Sequence, residues 1–164
     1  MGDGLVAPTQ QLLGFTLGHQ RYALRLAAVE RVVRVVEIVP LPRAPDIVLG
    51  VINVQGRVIP VVDTRKRFAL PVRRLTLDDH LIVARTPRRS VALLVDRVSG
   101  AIECAAADVI AAAEILPAMA YVDAVAKLAD GTILIHDLAN FLSLEEEAGL
   151  DAAFDAAAEE PHGV

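Results

Sequence analysis

Pro42-Arg43-Ala44-Pro45-Asp46-Ile47-Val48-Leu49-Gly50-Val51-Ile52-Asn53-Val54-Gln55-Gly56-Arg57-Val58-Ile59-Pro60-Val61-Val62-Asp63 is the stretch on which the reading of this chain turns. With Pro40 just ahead of it, Pro42 and Pro45 remove ladder donors and force an extended connection. Residues 46–49 then have room for one turn. Gly50–Val54 and Arg57–Asp63 are short β-branched runs around a Gln55-Gly56 turn. Branching at Cβ restricts χ1 in a helix and suits a pleated surface, so both runs are strands. Pro60, inside the second run, calls for a sheet edge or a bulge. Residues 64–68 read as a short basic helical turn or loop.

The same texture continues in both directions. Upstream, Leu12–Leu17 and Tyr22–Leu26 flank a turn that contains Gly18 and His19, the pattern of a hairpin. Val29–Val39, with six valines and one isoleucine among eleven residues, reads as a bent strand because its polar residues do not alternate strictly. Downstream, His80–Ala84 and Val91–Val95 flank Pro87-Arg88-Arg89-Ser90, and Val98–Glu103 adds another strand. Val122–Leu128 and Thr132–His136 meet at Asp130-Gly131, a pair suited to a tight turn with positive φ. Strands this short, with turn signals this regular, predict an all-β chain of small barrels or a sandwich. No internal repeat is apparent; the chain divides into two successive β units near residues 64–79. Leu138, Phe141, Leu142, Leu144, Ala148 and Phe154 recur at helical spacing among acids and alanines, which predicts a C-terminal amphipathic helix within 138–160, docked at its start and frayed beyond Gly149.

Composition narrows the function. Of the 164 residues, 54% are hydrophobic but only 4% aromatic, so the core rests on Val, Leu, Ile and Ala. The nearest approach to a membrane span, residues 101–122, is interrupted by Glu103, Asp108 and Glu114. The first residues lack the basic flank and apolar run of a secretory signal, and Cys104 is the single cysteine; a reducing, cytoplasmic setting is expected. The formal charge of −5 is concentrated in residues 143–164, which hold seven acids and no Lys or Arg. Fourteen of the sixteen basic residues are Arg, whose planar fork suits protein interfaces. Arg73-Arg74 and Arg88-Arg89 have no aromatic neighbours to stack bases, so nucleic acid is not an expected partner.

Chemistry is scarce. Phosphate-binding loops and zinc signatures are absent, no cofactor is expected, and the four histidines are scattered. His19 and His162 read as solvated. Asp78-Asp79 before His80 read as a solvated turn, Cys104 as an inert buried thiol, and His136 as a strand-end histidine bonded locally. The catalytic alternative is a small β-barrel hydrolase working with Asp63, Asp96 and His136, which requires the three side chains to converge. The leading expectation is a chain without catalysis.

The opening stretch resembles the hallmark of the CheW family of bacterial chemosensory coupling proteins, P-x-x-P-x-x-I-x-G-x-x-N-x-R-G-x-x-x-P-[VI]-[VI]-D-L-R. Phe15-Thr16-Leu17-Gly18 with Tyr22, Leu94-Val95-Asp96-Arg97-Val98, and Ile133-Leu134-Ile135 with Leu138 and Leu142 extend the likeness over residues 12–146. The resemblance implies two intertwined five-stranded SH3-like β-barrels, placed here at roughly 15–64 and 65–137 with the N-terminal strand crossing over, followed by a short helix and an acidic Ala-rich tail. It implies a scaffold that couples the cytoplasmic tip of a methyl-accepting chemoreceptor to the regulatory domain of a CheA-type histidine kinase, at membrane-associated arrays and without inserting into the bilayer. A regulatory module of another two-component system is the neighbouring reading.

Carried over position by position, the resemblance assigns receptor contact to Val29, Arg31, Asn53, Val54, Gln55 and Gly56, and partner contact to Gly50 and Val98. For the three valines, core packing competes with that role; for the glycines, backbone geometry does. Two positions depart from the pattern. Gln55 stands where the family has Arg in N-x-R-G, and Arg31 stands where the third strand has Glu. In the family these two look like an ion pair across a groove, so their joint change is coherent: a lone charge left there is costly if buried. The alternative is that Glu30 takes the acidic role after a one-residue slip, although a slip turns a strand residue to the other face.

Overall fold

The computed structural model describes residues 8–71, 73–111 and 121–159. They form eleven strands in two sheets. In chain order these are β1 (Thr9–Leu17), β2 (Gln20–Arg25), β3 (Val29–Arg34), β4 (Val48–Val54), β5 (Arg57–Val62), β6 (His80–Arg85), β7 (Ser90–Val95), β8 (Arg97–Ala105), β9 (Val109–Ala111), β10 (Val122–Leu128) and β11 (Gly131–His136). Two α-helices occur among the described residues, α1 (Thr64–Arg67) and α2 (Leu144–Glu159). The first sheet runs β8-β1-β2-β11-β10-β9, the second β3-β6-β7-β5-β4.

These sheets do not follow the consecutive halves 15–64 and 65–137. The N-terminal hairpin β1–β2 belongs with the C-terminal strands, through β1–β8 antiparallel pairing and a short parallel ladder of β2 with β11. The crossover is thus larger than one strand. Nor are the ladders closed five-stranded barrels: one sheet has six strands, and both orders are open. Each sheet nonetheless curls, because one stretch of chain serves both of its edges. β8 continues through a 3-10 turn at Ala106–Asp108 into β9, and beyond β3 the chain returns to the opposite edge, where Val39 bridges Val51 of β4.

An internal repeat, invisible along the sequence, emerges from this arrangement. In each sheet a hairpin (β4–β5 or β10–β11) joins a second hairpin (β6–β7 or β1–β2) through a parallel pairing. In each, an aspartate follows the linking strand: Asp63 accepts from the Lys66 N–H at 3.1 Å, and Asp137 from the Asn140 N–H at 3.3 Å. A carboxylate there satisfies a donor that the first helical turn leaves free.

Pro60 sits within β5, opposite Val51, although β5 is flanked by two strands. Its missing N–H is accommodated because the parallel ladder with β7 begins only at Val61, and Leu49 is bulged out of β4 close by. Between the sheets lies the main core, which brings together Phe15, Tyr22, Leu24, Val62, Ile82, Leu93, Phe141 and Leu150. Smaller clusters fill the curl of each sheet, Leu12, Ala126 and Ile133 in the first, Ile52, Ile59 and Leu81 in the second.

The C-terminal helix begins later than its apolar spacing implied. Ser143 Oγ accepts from the Glu146 N–H at 3.0 Å while Glu146 Oε1 accepts from the Ser143 N–H at 2.8 Å, a reciprocal capping box. The helix does not fray at Gly149. That residue passes close to Pro45, where an added Cβ would stand 3.1 Å from the proline ring, and Leu150 and Ala153 beyond it are buried.

Candidate functional site

The β4–β5 hairpin turns on Gln55 and Gly56, with φ of 51° and 83°, the two positive values a tight primed turn needs. Glycine takes this conformation freely; glutamine takes it at a cost. Asn53 Oδ1 fixes the turn by accepting the Gly56 N–H at 2.9 Å. Gln55 then points at the far edge of the same sheet, where Arg31 Nη2 donates to its Oε1 at 3.1 Å. Strands at opposite edges of the β3-β6-β7-β5-β4 order meet here through side chains, which the curl of the sheet makes possible.

In the third strand Arg31 and Glu30 have separate partners, for a reason one sequence does not display. The register of β3 against β6 shifts between Val29 and Arg31, which leaves Glu30 in a bulge. Arg31 is thereby free to face Gln55, while Glu30 turns to other partners. Its oxygens accept from Ser90 Oγ at 2.8 Å and from Arg57 Nη1 at 3.3 Å, and Arg57 Nη2 also donates to Ser90 Oγ at 2.8 Å. The Ser90 hydroxyl foremost, then Arg57, hold the Glu30 carboxyl below the usual carboxylate range.

The other carried-over positions fall in two groups. Arg31, Asn53, Gln55 and Gly56 are exposed and gather at one rim. Val29 and Val98 pack against the inter-sheet core, and Val54 against the inner cluster of the second sheet. Gly50 is buried beneath the Val39 bridge: its φ is 154°, and a Cβ would meet the Val39 carbonyl oxygen at 2.4 Å. Chain crossing explains this glycine directly.

The residues of the hydrolase alternative do not converge. Asp63 caps α1, and Asp96 accepts from Arg65, from Arg73 at 2.7 Å and from the Gly18 N–H at 2.6 Å. Burial pushes the Asp96 carboxyl up, but these donors outweigh it and hold the pKa below the ordinary value. Both aspartates border a cavity of about 350 Å³ shared with Arg65, Lys66 and Arg73. His136 lies elsewhere, 2% exposed, its ring 4.5 Å from Phe68, 5.2 Å from Phe15 and Phe141, and 5.5 Å from Tyr22, between centroids. Neither ring nitrogen has a hydrogen-bond partner, so the expectation of local bonding gives way to that of an aromatic core residue. Burial lowers its pKa to about 3. Asp79 also departs from expectation: it is buried and accepts from Arg73 at 2.5 Å and from the Thr76 N–H at 2.9 Å. Among the described residues no group of three His, Cys, Asp or Glu side chains is placed to hold a metal, and no helix is long and apolar enough to cross a membrane.

Sequence reasoning overlooked the ion pairs that anchor the helices. Arg67 donates to Tyr121 Oη at 2.8 Å and to Glu146 at 2.5 Å, its guanidinium 4.7 Å above the Tyr121 ring. Glu147, 5% exposed, accepts from Arg89 Nε at 2.8 Å, and Arg89 also reaches Asp151. The Ser143-x-x-Glu146 spacing was the available clue; the partner arginines lie far away in the chain.

A two-sheet β module with an exposed polar rim and, among the described residues, no convergence of Asp63, Asp96 and His136 is what these observations define. Residues 11–146 match the family model described as the CheW-like domain, and the chain belongs to that family. It is 28% identical over 144 residues to the chemotaxis protein CheW of Klebsiella aerogenes, with 87% of each chain covered. It is 38% identical over 90 residues to that of Rhizobium meliloti, a match spanning 55% of this chain and 58% of the relative. Among solved structures, the scaffolding protein TtCheW from Thermoanaerobacter tengcongensis superposes with a TM-score of 0.77 at 26% identity, over 85% of this chain and 96% of that one.

Proposed function

We propose that this chain is a non-catalytic adaptor that couples the cytoplasmic tip of a chemoreceptor to the regulatory domain of a CheA-type histidine kinase, in a cytoplasmic array beside the membrane. The observation that carries the reading is the rim where Arg31 and Gln55 join opposite edges of one sheet, within a fold shared across most of its length with a scaffolding protein. Such a rim presents a fixed surface and performs no bond chemistry. Val29, Arg31, Asn53, Val54, Gln55 and Gly56 form or support the receptor face; Gly50 and Val98 shape the backbone and core behind it. The two curled sheets act as small SH3-like barrels within one domain spanning residues 12–146.

Coupling then works by linked equilibria. A receptor state that binds the adaptor more tightly shifts the kinase bound to the same adaptor, by no more than the difference in binding free energy. The Arg31–Gln55 pairing, in place of an ion pair, fits an array that serves an output other than swimming.

The test is reconstitution. Titration with a CheA-type regulatory domain, with and without a receptor-tip fragment, should give a ternary complex, and kinase autophosphorylation should depend on all three components. Failure to bind either partner overturns the reading.

A further inference from the structure

Among the described residues the chain passes between the two sheets at Leu26–Ala28, which leads from β2 to β3, and at Asp96, the single residue between β7 and β8. The first crossing, Leu26-Ala27-Ala28, has only apolar side chains. The second carries a carboxylate that gathers donors from both sides. Its Oδ2 accepts from the Gly18 N–H at 2.6 Å, in the β1–β2 turn of the first sheet, and from Arg65 Nη2, in α1 just beyond β5 of the second. Its Oδ1 accepts from Arg65 Nε at 3.2 Å and from Arg73 Nη2 at 2.7 Å. The Asp96 N–H donates to the Thr16 carbonyl of β1 at 3.1 Å. Arg73 carries the connection on to Asp79, 2% exposed at the entry to β6, whose carbonyl accepts the Val35 N–H just beyond β3.

We infer that Asp96 is a positioning residue for coupling: its carboxylate fixes the angle between the two sheets, and through that angle the state of one bound partner reaches the other. The functional half of this inference rests on the adaptor reading; the structural half stands without it. The shared core presses the sheets together, but apolar burial is non-directional. An arginine fork on a carboxylate is directional, because its two N–H bonds are satisfied together in one geometry. Arg65 meets Asp96 in this way, through Nε on one oxygen and Nη2 on the other. With Gly18 donating from the first sheet, the carboxylate is fastened to both sheets at the point where one residue joins them. An amide in its place loses the charge and turns an N–H toward donors. The sheets then keep their core and lose the bonds that orient them. Each partner still finds its own surface, whereas coupling, which depends on how one bound state biases the other, declines.

The experiment uses the full-length chain with Lys127→Cys and Val58→Cys in a Cys104→Ala background, which puts one spin label on each sheet at an exposed position. Pulsed electron resonance reads the distance between the labels. With Asp96 present the distribution should be single and narrow; Asp96→Asn should broaden or shift it. In unlabelled protein, Asp96→Asn should bind a receptor-tip fragment and a CheA-type regulatory domain within about twofold of the wild type, while the receptor-dependent change in kinase autophosphorylation falls about tenfold. Ile52→Val trims the inner cluster of the second sheet; it should lower thermal stability and leave both the distance and the coupling as they are. If Asp96→Asn does not fold, Arg65→Gln, which keeps the carboxylate and removes its fork, is read in the same way. An unchanged distance distribution, unchanged coupling, or coupling lost equally in Ile52→Val would overturn the inference while leaving the adaptor intact. A wild-type chain that binds neither tip nor kinase domain overturns the adaptor reading, and the distance measurement then decides the structural half alone.

Discussion

The charged groups at the β3 rim and those around the two helices have opposite fates. Around the helices, arginines are consumed internally: Arg67 by Glu146 and Tyr121, Arg89 by Glu147 and Asp151, and Arg65 and Arg73 by Asp96. At the rim, among the described residues, the Arg31 side chain bonds a neutral amide and no carboxylate, and it remains exposed. The same residue type thus closes the structure in one place and stays in solvent in the other. What separates them is the supply of carboxylates: α1 and α2 are flanked by acids, whereas the bulge in β3 diverts Glu30, the sequence neighbour of Arg31, to Arg57.

That contrast can be broken from the structural side first. Phe141 is fully buried between the sheets beside His136, and Phe141→Ala should lower unfolding stability by about 3–5 kcal/mol, read by denaturant titration. Acid should act on the same cluster. The His136 pKa falls from 6.5 in the unfolded chain to about 3 in the folded one. The unfolded state therefore binds the extra proton between these values. Stability conferred by the neutral ring is complete above pH 6.5, declines as pH falls and is lost by about pH 3, for a total of about 5 kcal/mol. His136→Phe should flatten that part of the stability profile; an unchanged slope would place the titration elsewhere.

Smaller effects sharpen the difference between the regions. Glu147→Ala leaves Arg89 without its buried partner and should cost about 2–3 kcal/mol, less than a fully buried pair because Arg89 retains some contact with water and with Asp151. Gln55→Gly relieves a positive φ but frees the unfolded chain, so stability should change by under about 1 kcal/mol, while Arg31 loses its acceptor. Arg31→Gln should alter stability by no more than about 0.5 kcal/mol. If it destabilises as much as Glu147→Ala, the rim is a structural clamp and the contrast fails.

Much of this architecture was legible in advance. Valine-rich runs, the Gln55-Gly56 and Asp130-Gly131 turns and the prolines located most strands to within a few residues, because those signals act through local backbone and rotamer restrictions. That positions 31 and 55 face each other followed only from the resemblance, through their joint departure from one pattern; the bond from Arg31 to Gln55 did not. Glu30 was read only as a slipped substitute for the family's acid, and its bonds to Ser90 and Arg57 were not foreseen, since a bulge is a property of two strands read together. Asp79 and His136 were misjudged for a related reason. Burial depends on what the rest of the chain lays over a residue, and neighbouring letters such as Asp78 carry no record of it.

The amino-acid order by itself determined the class of elements, the family pattern and the rim's residue types, since strand propensity, turn chemistry and side-chain charge are local properties. Tertiary structure alone decided that β1–β2 joins the C-terminal sheet, that Gly50 must let Val39 pass, and which arginines find acids. Those outcomes depend on contacts between residues tens of positions apart, formed only once the two sheets have closed over a shared core.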